Sequence, residues 1–316
     1  MTASDPPRVG PATLVAPVTG AQPPNHTDQW DVHGTDLGHT FEHQGEVWMV
    51  CGDTFSTNRR NWRSNVMARV SLADGQLVVE DMVTDWRGRA KELLPSGKGK
   101  GGEVTVIPTN GVSTGNEMVL HAMSVEAWGS PGRWTVNRAF LATSSDAGRR
   151  WQEQEGGWPG DANFVQVAFV PRGDEVWALG IPAGRFGGAA LARAPRGELV
   201  DLASWRYWDG AGWTPDHRGA SLILPPPMGE LSVRWIPRLG AWLTLYLDEE
   251  RAAVVAKQAP ELEGPWSPPT AVVTAQDQPT LYAPYLLPVD DGSGDAYFTL
   301  SRFDRYNVFL FRLALG

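Results

Sequence analysis

The sequence predicts an all-β protein built from many short strands. β-branched, aromatic and other apolar residues recur in short runs, such as 47–51 (VWMVC), 104–107 (VTVI), 119–123 (VLHAM) and 242–247 (WLTLYL), each bounded by turn residues. Glycine (35 residues) and proline (25) divide the chain into pieces of strand length. No stretch sustains the apolar spacing of a long amphipathic helix.

Residues 1–28 read as a proline-rich arm, and 29–316 as a single domain, since no linker interrupts the strand clusters. The first of these clusters is a hairpin. Residues 36–42 alternate in polarity, His43-Gln44-Gly45 supply a turn, and 46–51 climb back towards Gly52 and Asp53. A glycine-rich stretch at 97–102 (GKGKGG) lacks the G-x-x-x-x-G-K-[ST] pattern of a phosphate cradle and reads as a mobile loop. Residues 144–151 (SSDAGRRW) match the S-x-D-x-G-x-x-W signature called an Asp-box. In that box a hairpin is fixed by the aspartate's local hydrogen bonds, and the tryptophan packs beneath it. Such boxes occupy outer hairpins of β-propeller blades, so Asp146 reads as structural. The roughly 290 residues after the arm would make five four-stranded blades of about 55–60 residues each, a five-bladed β-propeller. A propeller draws its site from the inner strands of several blades, which places partners far apart in sequence.

The hairpin also carries the chemistry. With the fold-back centred on Gln44 and Gly45, Asp36 faces Asp53. Opposed residues on antiparallel strands have Cβ atoms roughly 4.5–5.5 Å apart. Carboxylates that close repel, so one should hold a proton while the other stays ionised. That division of labour is what glycoside hydrolysis requires, an acid for the leaving oxygen and a base or nucleophile for the sugar. The alternative is that each aspartate caps a turn.

Composition narrows the partners. The formal net charge is −9, and the only basic cluster is Lys98–Lys100, which argues against nucleic acid. The single cysteine, Cys51, rules out an internal disulfide and reads as a small buried apolar residue. Residues 1–20 contain Asp5 and Arg8 without a continuous apolar core, so they do not read as a signal peptide, and no later segment reads as membrane-inserting. His33, His39 and His43 could suggest a metal site, since residues four apart share one face of a strand, but His43 sits in the presumed turn and no wider ligand pattern accompanies them, so no metal is expected. Most of the fifteen tryptophans should fill the space between sheets. Trp48, Trp62, Trp128, Trp134, Trp158 and Trp213 are candidates to present a face to a sugar ring.

A series of ordered landmarks runs through the chain. It comprises Gly34-Thr35-Asp36-Leu37-Gly38, Gly52-Asp53-Thr54-Phe55, Arg63-Ser64-Asn65, Glu103 with Ile107-Pro108-Thr109, and Met123-Ser124 through Trp128-Gly129 to Trp134. It continues through Asn163-Phe164, Ala183-Gly184-Arg185, Gly229-Glu230-Leu231-Ser232-Val233, Gly264-Pro265-Trp266-Ser267, Tyr282-Ala283-Pro284-Tyr285, Leu300-Ser301 and Tyr306-Asn307-Val308. On these landmarks the chain resembles a bacterial and phage family long catalogued as a domain of unknown function. Its characterised members look like five-bladed propeller endo-D-arabinofuranases that cut the arabinan of mycobacterial cell walls. Cys51 departs from the aromatic or aliphatic residue expected before Gly-Asp-Thr.

The resemblance implies an endo-acting hydrolase of cell-wall arabinan (arabinogalactan, and lipoarabinomannan as a further substrate) that needs no cofactor. It implies catalysis by Asp36 and Asp53, with Asp36 favoured as base and Asp53 as acid. Glu230 and Glu103 are competing acids, because many propeller glycosidases take theirs from a later blade. The other reading of each glutamate is a buried carboxylate paired with an arginine such as Arg185 or Arg234. His33 is placed to orient a carboxylate. Asn65, Asn163, Gln166, Tyr282 and Arg302 carry donors suited to sugar hydroxyls, and each could equally brace a loop. The lack of an export signal suggests a phage protein delivered by lysis or virion assembly, or a leader outside this sequence. In either case it would act at the wall. A catalytically silent wall-binding propeller and an L-arabinan hydrolase are the alternatives.

Overall fold

The computed structural model describes residues 9–316. Strand β1 (Val9–Pro17) lies within the segment expected as an arm, and sheets of four to six strands follow in order. Blade one comprises β2 (Gly34–His43), β3 (Glu46–Phe55), β4 (Val66–Ala73) and β5 (Gln76–Met82). Blade two comprises β6 (Thr105–Ser113), β7 (Met118–Trp128) and β8 (Trp134–Ser144), with the short β9 (Gln152–Glu153) and β10 (Trp158–Pro159) both lying along β8. Blade three begins with β11 (Gln166–Arg172), β12 (Glu175–Ile181) and β13 (Gly187–Pro195). It is extended by β14 (Arg206–Trp208), β15 (Trp213–Thr214) and β16 (Leu222–Met228). Blade four is β17 (Leu231–Ile236), β18 (Ala241–Asp248), β19 (Ala253–Ala259) and β20 (Thr270–Thr274). Blade five is β21 (Leu281–Leu286), β22 (Ala296–Arg302) and β23 (Asn307–Leu315), completed by β1 on its outer edge.

The innermost strands β2, β6, β11, β17 and β21 neighbour one another in a closed ring. The protein is therefore an all-β, five-bladed propeller. Ring closure uses the chain's beginning, because β1 pairs with β23 and hides the last blade's edge. Of the proline-rich arm read over residues 1–28, residues 1–8 lie outside the described residues and 9–17 form this strand. Past the strand, the buried Asn25 ties the segment to blade one. Its amide donates to the carbonyls of Val18 (2.9 Å) and Leu77 (3.0 Å), and its oxygen accepts from Val79 N–H (2.9 Å).

The core lies between the blades, where sheet faces meet. Between blades two and three the fully buried Trp158 packs edge-on against Trp205, and its indole N–H donates to Tyr207 Oη at 2.9 Å. The Asp-box forms as expected at the outer turn of blade two. Asp146 Oδ1 accepts from Ser144 Oγ (3.0 Å) and Arg150 N–H (2.8 Å), and the Trp151 indole donates to Gly148 O (3.0 Å). Among the described residues no helix is long and apolar enough to cross a membrane.

Because every inner strand starts on the same face, five sequence-distant strand beginnings surround one opening. Asp36 on β2, Gln166 on β11, Glu230 just before β17 and Tyr282 on β21 all reach it. The cavity there measures about 720 Å³. A second cavity of about 430 Å³ opens on the other face, and Tyr285 borders both.

Candidate active site

The hairpin turns at Gln44 (φ 51) and Gly45 (φ 81), so His43 belongs to the strand rather than to the turn. The register set by that turn holds at both ends, where His39 pairs with Val50 and Thr35 with Thr54. Between them Leu37 pairs with Cys51, so Asp36 is not directly opposite Asp53 as expected from strict alternation. One extra residue on β3 and one on β2 form two compensating bulges. Blade five holds the β2 bulge, since Thr299 Oγ1 donates to Gly38 O (2.8 Å) and Ser301 Oγ to Leu37 O (3.3 Å). Leu37 (φ 67) and Gly38 (φ 82) both lie in the left-handed region. The bulges carry the Asp36 carboxylate over Gly52, where a Cβ would stand 2.5 Å from Oδ1.

Asp36 Oδ2 accepts from Tyr282 Oη at 2.9 Å, while Oδ1 is shielded from solvent and has no partner. Burial first, then the charge of Asp53, pushes the Asp36 pKa up to about 8; the phenols of Tyr282 and Tyr306 oppose this, and Glu230 adds to it. Asp53 is buried, and its Oδ1 accepts from Thr105 Oγ1 (2.6 Å) and the Trp62 indole N–H (2.7 Å). Its pKa is also raised, by burial first, against the opposing hydrogen bonds of Thr105 and Trp62 and the charge of Lys98. The structure thus brings both aspartates into one cavity. Burial drives Tyr282 and Tyr306 well above the ordinary phenol range, so both remain protonated.

Across the cavity Arg185 grips Glu230 through two nitrogens, Nε (3.0 Å to Oε2) and Nη2 (2.9 Å to Oε1), and donates through Nη1 to Glu249 (3.0 Å). Burial works against the Arg185 cation, and the two glutamates outweigh it, so its pKa rises. The guanidinium also lies against the Tyr282 and Trp134 rings. Glu230 therefore faces the cavity as a paired carboxylate. Trp128, half exposed, and Trp134 form one aromatic wall; Phe55, Phe303 and Tyr306 form another.

Other residues singled out from sequence go elsewhere. Asn65 is fully buried and satisfied: its Nδ2 donates to Leu94 O and Val106 O, and its Oδ1 accepts from Leu93 and Leu94 N–H. Arg302 is committed to Asp304 and Gln278, and neither it nor Asn163 lines the cavity. Gln166 does line it, though its amide N–H groups hold Pro182 O and Gly184 O. Glu103 accepts from Gly97 N–H (2.9 Å) and Ser124 Oγ (2.6 Å) outside the cavity, as a loop brace. His33 bonds Thr57 Oγ1 (2.9 Å) and does not reach Asp36.

The three hairpin histidines do not converge. His43 bonds Ser113 on the far side of the propeller from Asp36, and His39 borders the second cavity, neutral because burial lowers its pKa to about 3. Among the described residues no group of three or more His, Cys, Asp or Glu is placed to hold a metal ion. Cys51 is buried, and burial pushes its thiol up to about 12. Trp158 is core and Trp62 sits behind Asp53, so only Trp128 and Trp134 of the six singled-out tryptophans face this cavity. Sequence reasoning missed Thr105 and gave no site role to Tyr306. Both act across blade boundaries, where no local pattern signals them.

The propeller is shared with solved glycosidases at low identity. A protein of Bacteroides ovatus, described provisionally as a hydrolase, superposes with a TM-score of 0.63 at 16% identity, covering 91% of this chain and 87% of that one. The catalytic domain of the Coprinopsis cinerea GH62 α-L-arabinofuranosidase gives 0.55 at 11% identity over 98% of both chains. A GH43_1 enzyme from Xanthomonas citri gives 0.57 at 11% identity over 96% and 91%. These likenesses establish the fold. No curated protein matches the sequence. A family model does match residues 22–312, and the chain belongs to that family, described as Domain of unknown function (DUF4185).

Proposed function

We propose that the chain is an endo-acting glycoside hydrolase that cuts D-arabinofuranosyl linkages in cell-wall arabinan. The observation that carries the hydrolase reading is the Asp36–Asp53 pair in one cavity, with Asp36 Oδ1 buried and unpartnered. At neutral pH such a pair holds one proton. We assign it to Asp36, whose pKa is pushed up to about 8. The charge goes to Asp53, whose Oδ1 accepts two hydrogen bonds. This reverses the roles favoured from sequence. In this mechanism Asp36 protonates the leaving oxygen as the glycosidic bond breaks, and Asp53 stabilises or attacks the oxocarbenium-like centre, directly or through water.

Two aromatic walls flanking an open cavity of about 720 Å³ suit several furanose rings rather than one, which supports endo action. The D-arabinan specificity rests on the ordered landmarks from Gly34 to Val308. Such a substrate places the protein outside the cell, at the wall.

The test is product release from purified mycobacterial arabinogalactan by wild type, Asp36→Asn and Asp53→Asn. Oligoarabinosides from wild type alone support the proposal. Release only from L-arabinan would reassign the specificity. Glycan retention without release by any form would replace the hydrolase with a binding propeller. An aryl arabinofuranoside with a good leaving group separates the roles, because Asp36→Asn should retain more activity on it than Asp53→Asn.

A further inference from the structure

The glycine-rich stretch 97–102, read from sequence as a mobile loop, is fastened at both ends. Glu103 receives Gly97 N–H and Ser124 Oγ, and Asn137 Nδ2 donates to Gly102 O at 2.9 Å. Between these ties Lys98 (φ 51) points inward. Its ammonium meets Glu92 Oε1 at 2.5 Å, bonds Ser64 Oγ, and lies 4.5 Å from the centre of the Trp62 ring. Trp62 in turn stacks on Phe55 and donates its indole N–H to Asp53 Oδ1 at 2.7 Å. Neither Lys98 nor Trp62 lines the cavity, so neither is placed to touch a bound sugar there.

We infer that Lys98 is a positioning residue, which the glycine-rich loop inserts behind Trp62 so that the indole N–H stays on Asp53 and that carboxylate stays the charged member of the pair. This rests on the role given to Asp53 above. Asp36 and Tyr306 face Asp53 from the cavity side, and Glu92 and Lys98 from behind Trp62. Removing the ammonium frees the Glu92 charge as well as deleting a cation, so both changes favour a proton on Asp53. The Lys98 charge lowers the Asp53 pKa and the Glu92 charge raises it.

The experiment compares wild type, Lys98→Met, Lys98→Arg and Trp62→Phe in pH profiles of arabinan cleavage and in carbon-13 titrations of the Asp53 carboxyl. Trp62→Phe keeps the ring but loses the N–H. In Lys98→Met and Trp62→Phe the Asp53 midpoint and the acid limb of kcat/KM should rise by about one unit. Cleavage should then fall roughly tenfold below the wild-type limb and recover at higher pH, with KM little changed, while Lys98→Arg behaves like wild type. A loss of equal size at every pH, or an unmoved Asp53 midpoint, would overturn the inference. If no form cleaves arabinan, the proposed function fails while the carboxyl titration still decides this one. If Lys98→Met does not fold, Lys98→Gln, which also lacks the charge, decides it.

Discussion

Replacing Asp36 with Asn should make the protein more stable at neutral pH while removing activity. The folded-state pKa of about 8 stands far above the ordinary 3.8. Between those values the unfolded chain has released the Asp36 proton and the native state has kept it, so native stability falls as pH rises from about 4 to about 8 and then levels. At pH 7 the gap from the unfolded value is about 3 units, and at about 1.36 kcal/mol per unit Asp36 titrating alone would cost about 4 kcal/mol. Sharing the proton with Asp53, and the cavity's access to water, reduce this to about 2 kcal/mol. Asn has nearly the same shape and no charge to bury, so Asp36→Asn should recover that amount. In a chain of this size that is a rise of about 3 °C in Tm at pH 7–8, shrinking to nothing near pH 4. Thermal unfolding followed by circular dichroism from pH 4 to 8 measures it. Equal Tm values at pH 7.5, or a gap that fails to close in acid, would refute the burial argument for Asp36.

Two further substitutions probe the scaffold. Gly52→Ala should fold, because the added methyl meets side chains rather than backbone: Asp36 Oδ1 at 2.5 Å and Leu37 Cδ1 at 3.0 Å. It should nevertheless lose at least about 100-fold in kcat by moving that carboxylate; near-wild-type turnover would show that Asp36's placement over Gly52 is unimportant. Asn65→Ala leaves four buried backbone groups without their partner and should cost about 3 kcal/mol, seen as a lower denaturation midpoint in urea. Arabinan affinity of the folded fraction should be unchanged, and a weakened affinity would return Asn65 to the sugar site.

Local chemistry was legible without coordinates. The Gln44-Gly45 turn and the Asp-box each depend on residues within a few positions of one another, and the structure forms both; the period-two run is broken by two bulges. The same locality explains why the Asp36–Asp53 hairpin stood out; the count of five blades needed the family resemblance beside the chain length.

Non-local packing decided the rest. Strict alternation set Asp36 across from Asp53, whereas hydroxyls on β22, over 260 residues away, hold the bulge that turns Asp36 towards Tyr282. Glu230 could not be assigned from sequence as an acid or a paired carboxylate, because Arg185 reaches it only when blades three and four meet. The arm became a strand because blade five has an open edge to cover, and the GKGKGG loop is held because Glu103 and Lys98 find partners on neighbouring elements. Runs of strand-forming residues, the hairpin turn and the two aspartates could be read along the chain. Which of the two aspartates holds the proton is set only in the assembled ring, where burial raises both and the charge of Asp53 adds to it at Asp36, pushed up to about 8.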